Sequence, residues 1–281
     1  MRPRVDAVTT SQLVIAPVLL PVLAGIALLL GRSLDLRWRR AFALTCALGQ
    51  VVLALMLTRA VADGSVLVYA LGNWPAPFGI VLVADRLAAW LLVTTSLLAW
   101  FALAYGCLGS DRDGRHFHVL FQLQIFGLSG AFLTGDLFNL FVFFEVLLLA
   151  SYGLLLHGRG RRRTRAGLHY VVINLVGSTL FLFAAGTFYG VLGTLNLADL
   201  AVKAAAVSPQ DLPLVRTAGL LLFAVFALKA ALVPLCLWLP AAPIRPTARV
   251  NRATGSSQSA IRLAAGPASA PKISVETRRM L

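Results

Sequence analysis

Two ionisable residues lie deep inside apolar runs. Glu145 sits midway through Leu137–Leu156 (LFNLFVFFEVLLLASYGLLL), and Lys229 sits in Gly219–Leu239 (GLLLFAVFALKAALVPLCLWL). Every other Asp, Glu, Lys or Arg falls in a loop, in the tail or at the edge of an apolar run. A charge at that depth in a membrane is costly and marks a functional site by default. One acid and one base on two helices are natural partners, and the chemistry they suit is proton transfer.

Pro234 follows Lys229 by five residues. Proline has no N–H to donate and clashes with the carbonyl four residues earlier, that of Ala230. Within a span this frees backbone carbonyls near Lys229, a place for water or a cation. Burial disfavours the charged ammonium, and a nearby carboxylate favours it again. Those opposing effects suit a lysine to proton exchange. A static ion pair is the plainer alternative. Snorkelling is excluded, because ten residues on either side put the water about 15 Å away. Glu145 lies among Phe138, Phe141, Phe143 and Phe144. Alone there it takes up a proton; beside Lys229 it stays ionised.

Asp136 precedes Glu145 by nine residues, about 900° of helical rotation and so the opposite face. It reads as a helix N-cap, with a proton entrance as the second reading. His169 starts the sixth apolar run and reads as an interface histidine or a relay group. Asp136, His169 and Pro234 are the candidate members of a proton path around Glu145 and Lys229. Gln122, Gln124, Thr134, Asn139, Ser151, Asn174, Ser178 and Thr179 are polar residues within spans; each suits an interhelical hydrogen bond or a hydrated path. Gly177, Ser178, Ala184, Ala185 and Gly186 read as small residues that let helices approach.

The chain has 281 residues, 59% hydrophobic and 13% charged, with mean hydropathy +0.83. A soluble domain carries about twice that charged fraction, so the chain reads as an integral membrane protein with the lipid bilayer as its solvent. The net charge of +14 invites a nucleic-acid reading, but the arginines cluster in short loops between apolar runs. That is a topology signal, and no nucleic-acid partner is expected. Cys46, Cys107 and Cys236 are isolated and read as small buried residues. Metal-ligand spacing, P-loop and dinucleotide motifs are absent from the sequence, so neither a metal nor a cofactor is expected. The first apolar run lacks a cleavage-site pattern and reads as a retained helix.

Seven runs approach the roughly 20 apolar residues a spanning helix needs: Leu13–Leu30, Ala41–Leu57, Leu87–Tyr105, Val119–Leu133, Leu137–Leu156, Tyr170–Leu192 and Gly219–Leu239. Ser65–Val83, broken by Gly72, Asn73, Pro75 and Pro77, reads as an extended hairpin over one membrane face. Asn196–Arg216 reads as a second non-spanning connection with a short amphipathic helix near Ala198–Val207. The fold class is therefore all-α integral membrane, with about seven transmembrane helices, an extracytoplasmic β-hairpin-like loop and a disordered C-terminal tail. The loops after helices one, three and five hold eleven arginines, against six basic residues on the other side. The positive-inside rule puts those loops in the cytoplasm and the N-terminus outside. The RGRRRTR run (Arg159–Arg165) reads as a topology anchor, with anionic head-group binding as the alternative. Residues 1–240 form the transmembrane domain. Residues 241–281, basic and rich in Ser, Ala and Pro, form the tail.

Four stretches carry a family resemblance: TGDLFNLFVFFEVLLLASYGLLLHG (Thr134–Gly158), YVVINLVGSTLFLFAAGTFYGVLGTLNLADLA (Tyr170–Ala201), VYALGNWPAPFGIVLVADRLAAW (Val68–Trp90) and FALKAALVPLCLWLP (Phe226–Pro240). They resemble the D subunit of the Mrp-type multisubunit cation/proton antiporters, itself similar to the proton-pumping antiporter-like subunits of respiratory complex I. The resemblance runs from about residue 10 to Pro240. It implies a proton-translocating subunit in a hetero-oligomer of the cell inner membrane, exchanging Na+ or K+ for H+. It implies that Glu145 and Lys229 are the family's key charged pair, and that Pro234 and Trp238–Pro240 are its surrounding motif. Relatives often carry a histidine before that motif, where this chain has Cys236. They also continue with about seven further helices and later charged residues, whereas the resemblance here stops at Pro240. The expectation from that switch is an out-of-frame or truncated tail, which resequencing the locus decides. Two other readings stand beside the antiporter subunit: a proton-pumping subunit of a complex I or hydrogenase assembly, and a non-transporting fragment. The GNWPAPFGIVLVAD segment resembles the Mrp D subunit more than the complex I relatives.

Overall fold

The computed structural model describes residues 3–31, 33–74, 76–158, 161–233 and 235. All of them belong to one compact unit, Met1–Ala241. Pro234, Cys236, Trp238–Pro240 and the tail lie outside the described residues. The elements in chain order are α1 (Pro3–Leu30), α2 (Leu36–Ala60), β1 (Leu67–Ala70), β2 (Val81–Ala84), α3 (Arg86–Gly106), α4 (Phe117–Leu133), α5 (Leu137–Leu156), α6 (Arg161–Leu192), α7 (Leu197–Ala205) and α8 (Leu212–Lys229). Among the described residues, six helices contain stretches long and apolar enough to cross a membrane, and α4 is a shorter apolar helix. All seven expected runs are helical over their described residues, except the last, which stops early.

Caps fix several boundaries. Asp85 Oδ1 accepts the Ala88 N–H at 2.7 Å and starts α3. Asp136 Oδ1 accepts the Asn139 N–H at 2.9 Å and starts α5. Asn196 Oδ1 accepts the Ala198 and Asp199 N–H groups at 3.2 and 3.3 Å and starts α7. The expected amphipathic connection is thus a capped helix.

Three boundaries on α6 and α8 differ from the sequence reading. Helix α6 begins at Arg161, nine residues before the apolar run at Tyr170. The arginines of that loop are good helix formers, and polarity does not stop a helix. Helix α8 begins at Leu212, not Gly219, because Leu212 and Pro213 open it as a first turn needing no N–H from proline. It ends at Lys229, ten residues short of the expected Leu239.

The bundle is held by small residues and by polar groups that repair broken backbone. Pro21 lies inside α1 and offers no N–H to the carbonyl of Pro17, four residues earlier. Gln50 of α2 repairs the gap: its Nε2 donates to the Pro17 carbonyl at 2.8 Å and to Ser129 Oγ of α4 at 2.8 Å. Gln122 of α4 donates in turn to the Ala43 carbonyl at 3.2 Å. Helices α4 and α5 pack with almost no gap at Gly127, where a Cβ would sit 2.6 Å from Leu147 Cβ and 2.8 Å from its backbone N. Such contacts replace the hydrophobic driving force that lipid does not supply.

The loops gather at two ends. Strands β1 and β2 pair antiparallel, Leu67 with Ala84 and Ala70 with Val81. Gly135 N–H donates to the Val81 carbonyl at 2.9 Å, Leu137 N–H to Leu195 at 2.8 Å, and Leu197 N–H to Gly135 at 2.9 Å. These bonds tie the hairpin, the α4–α5 turn and the start of α7 into one face. At the other end Arg40 grips buried Asp111 through both carboxylate oxygens at 2.6 and 2.7 Å. His118 Nε2 lies 3.3 Å from Asp111 Oδ2. Burial alone would raise the affinity of Asp111 for a proton; the Arg40 and His118 contacts outweigh it and hold Asp111 below the ordinary carboxylate value. Arg39 Nη2 donates to the Arg115 carbonyl, and His157 Nε2 lies 3.0 Å from the Ser110 carbonyl. The loops after α1, α3 and α5 therefore share one face, as their charge suggested.

Candidate functional site

Glu145 and Lys229 are brought together, with one residue between them. Helix α5 contributes Glu145, α6 contributes Ser178, and α8 contributes Lys229. The Ser178 hydroxyl donates to Glu145 Oε1. Lys229 Nζ donates to Ser178 Oγ at 3.5 Å, a long bond. A hydroxyl has one proton to give and two lone pairs to receive with, so it serves both partners at once. Ser178 is 4% exposed. The expected direct acid–base pair is thus a three-membered chain: carboxylate, hydroxyl, amine. From the sequence alone Ser178 is one polar or small residue among several on its helix. Its register against α5 and α8 is set by tertiary packing, which no sequence pattern displays.

The end of α8 explains the position of Lys229. Ala231 N–H donates to Leu228 and Leu232 N–H to Ala227, both at 3.1 Å. Ala231 is left-handed at φ 53°. This is a Schellman stop with alanine in the place glycine prefers, at a steric cost of about 1–2 kcal/mol. Lys229 is therefore the last helical residue and not a mid-helix one. The partial negative charge at a helix C-terminus favours a cation there. Pro234, which lies outside the described residues, could not have continued the helix by bonding the Ala230 carbonyl.

The two sides of the chain differ. Toward the hairpin face lies an aromatic cluster. Phe181 is fully buried, with ring centroids 5.6 Å from Phe141, 6.2 Å from Phe144 and 5.9 Å from Phe226. Lys229 Nζ lies 5.4 Å from the Phe144 ring centroid, a cation–π distance. Toward the basic-loop face a cavity of about 390 Å³ is lined by Gln124, Ser151, Leu154, Leu155 and Tyr170. Ser151 Oγ and Tyr170 Oη are 3.2 Å apart, and Gln124 Oε1 is buried without a partner. A volume of that size holds several waters at about 30 Å³ each, and Gln124, Ser151 and Tyr170 supply the few polar groups on an otherwise apolar wall.

The remaining candidates stand apart. Asp136 caps α5 through Oδ1 at its hairpin-face end. His169 is exposed on α6, nine residues and so about half a turn out of phase with Ser178. Neither joins the chain. Of the small residues on α6, Gly177 meets Leu228 of α8, with a Cβ there 3.1 Å from Leu228 Cδ2. Ala184 and Ala185 are buried as expected.

Fold and site together define a multi-pass membrane protein with an ionisable chain across three of its helices. The particular relationship comes from comparison with known proteins. A family profile described as NADH:quinone oxidoreductase/Mrp antiporter, TM, matches residues 134–251. The D subunit of a probable K(+)/H(+) antiporter of Rhizobium meliloti is 50% identical over 236 residues, covering 82% of this chain and 44% of that relative. The D subunit of a Na(+)/H(+) antiporter of Bacillus subtilis is 38% identical over 248 residues, covering 88% and 50%. Among solved structures, the Mrp complex from a Dietzia species superposes with TM-score 0.74 at 32% identity, over 82% of this chain and 43% of the matched one. Respiratory complex I from Thermus thermophilus superposes at TM-score 0.63 and 30% identity, over 81% and 46%. Over the matched residues this chain is similar to the D subunits of Mrp-type antiporters. It spans about half the length of the curated relatives it matches.

Proposed function

We propose that this chain is a proton-translocating subunit of a multisubunit monovalent cation/proton antiporter, exporting Na+ or K+ in exchange for H+. It is a transporter subunit, not an enzyme. Its partners are the other subunits of the complex, its place is the cell inner membrane, and its N-terminus is outside. The observation that carries the reading is the Glu145–Ser178–Lys229 chain. Ser178 can pass its proton to Glu145 while taking one from the Lys229 ammonium. That single relay converts an ionised acid and base into two neutral groups, and its reverse restores the charges. Protons reach the chain from the basic-loop face through the Gln124, Ser151 and Tyr170 cavity, and the aromatic cluster closes the other side. Asp136 and His169 are left outside this path for the geometric reasons above. Pro234 keeps its place in the proposed path only from the sequence, five residues after Lys229.

The second reading is a proton-pumping subunit of a respiratory assembly. It is favoured by the superposition on an archaeal respiratory membrane complex at TM-score 0.74 and 27% identity. The 50% identity to an antiporter D subunit favours the first. Inverted vesicles from a strain lacking its own D subunit, supplied with this chain and the other subunits, decide between them. Adding Na+ or K+ is expected to dissipate a respiration-driven pH gradient, read by fluorescence dequenching. An assembled complex that responds to neither cation contradicts the antiporter reading.

A further inference from the structure

We propose that the corner between α1 and α2, on the basic-loop face, is a seat for one anionic phospholipid. Three observations meet there. The first is a groove of about 410 Å³ between the end of α1 and the start of α2, lined by Ala27, Leu28, Leu34, Trp38, Phe42 and Arg39. Five of those six are apolar, as an acyl chain requires.

The second is Arg39 itself. It is only 8% exposed. Its Nη2 is held by the Arg115 carbonyl, but its Nε is buried and has no hydrogen-bond partner. A buried donor without a partner is costly, and a charged one more so. A phosphate oxygen is the strong acceptor that a guanidinium matches best.

The third is the start of α2. Asp35 stands at its N-cap, yet the Asp35 side chain makes no capping bond. The first-turn N–H groups of a 25-residue helix are thus not capped by that side chain, and a helix N-terminus favours a phosphate. Arg39 stands four residues after the Asp35 N-cap, so both anion-binding features belong to the start of α2.

The level in the membrane fits a head group. The apolar run of α1 ends at Leu30, and Trp38 is 68% exposed beside the groove, as tryptophans at membrane interfaces are. The alignment is therefore phosphate on Arg39 and the α2 N-terminus, with an acyl chain along Leu28 and Phe42. This seat does not depend on the transport reading, because none of its residues belongs to the Glu145–Ser178–Lys229 chain.

The test uses the purified chain in detergent, stripped of lipid and offered phosphatidylglycerol or phosphatidylcholine. Bound lipid is counted by native mass spectrometry. Phosphatidylglycerol is expected to be retained about tenfold more strongly, the effect of one charge-assisted contact. Arg39→Gln is expected to remove that preference, while Arg216→Gln, at the far end of the bundle, leaves it unchanged. Ala27→Trp fills the groove from an exposed position and is expected to reduce retention of both lipids, which decides the matter if Arg39→Gln does not fold. Equal retention of the two lipids by the unaltered chain overturns the proposal, as does undiminished retention by Ala27→Trp. Displacement of the lipid by inorganic phosphate alone, or a second copy of the chain in place of lipid, overturns it too.

Discussion

Lys229→Ala and Glu145→Ala are each expected to lower cation/proton exchange by about two orders of magnitude or more, with the amount of assembled complex unchanged. The reason lies in the geometry. Lys229 is the only amine that reaches Ser178 among the described residues, and Glu145 the only carboxylate. Removing either leaves the hydroxyl with one partner and nowhere to send a proton. Assembly is expected to survive because the surviving group can become neutral by losing or gaining a proton, which avoids a bare charge in hydrocarbon. Cation-induced dequenching in inverted vesicles measures the first effect, and immunoblotting of the purified complex measures the second. Exchange at the unaltered rate in either variant refutes the assigned roles. Loss of assembly in both would instead make the pair a structural contact.

Gly127→Leu is expected to prevent the bundle from forming. The obstacle is backbone: a Cβ at Gly127 would meet Leu147 N at 2.8 Å and Leu147 Cα at 2.9 Å. A flexible side chain can swing aside, but a neighbouring helix must move bodily. Overpacking a core by even a few carbons costs about 1–3 kcal/mol, and here the whole α4–α5 contact is at stake. That contact also positions Glu145, two residues before Leu147. Gly127→Ala is the milder case and is expected to lower the melting temperature in detergent while leaving some folded protein. Fluorescence-detected size-exclusion chromatography distinguishes the two variants. A monodisperse peak of normal height for Gly127→Leu contradicts the packing account.

Much of this is legible in the residues, for physical reasons that differ by element. Glu145 and Lys229 stand out because hydrocarbon penalises charge. The hairpin is marked by Gly72, Asn73 and the prolines after them, and by the Val-rich arms that form β1 and β2. Asp136 is legible as a cap because capping is local, three residues from donor to acceptor. What escapes is set by longer-range geometry. The apolar run continues through Leu239, so composition alone does not show α8 stopping at Lys229; a left-handed Ala231 does that. Arginine-rich Arg161–Arg165 looks like loop when charge is taken as a boundary, yet the helix simply extends out of the apolar layer. Gln50 and Ser178 are visible as polar residues in spans, but their partners, the Pro17 carbonyl and Glu145, depend on helix rotation that no single helix specifies.

The central claim is that Ser178 couples Glu145 to Lys229, and exchange by Ser178→Ala in the complete complex tests it most directly. The variant removes one oxygen from a buried site and leaves both charged residues in place. The account predicts that the initial exchange rate falls by about tenfold or more at undiminished assembly, and that Ser178→Thr, which keeps the hydroxyl, recovers most of it. An exchange rate for Ser178→Ala equal to that of the unaltered protein would contradict the account and leave Glu145 and Lys229 acting without the bridge between them.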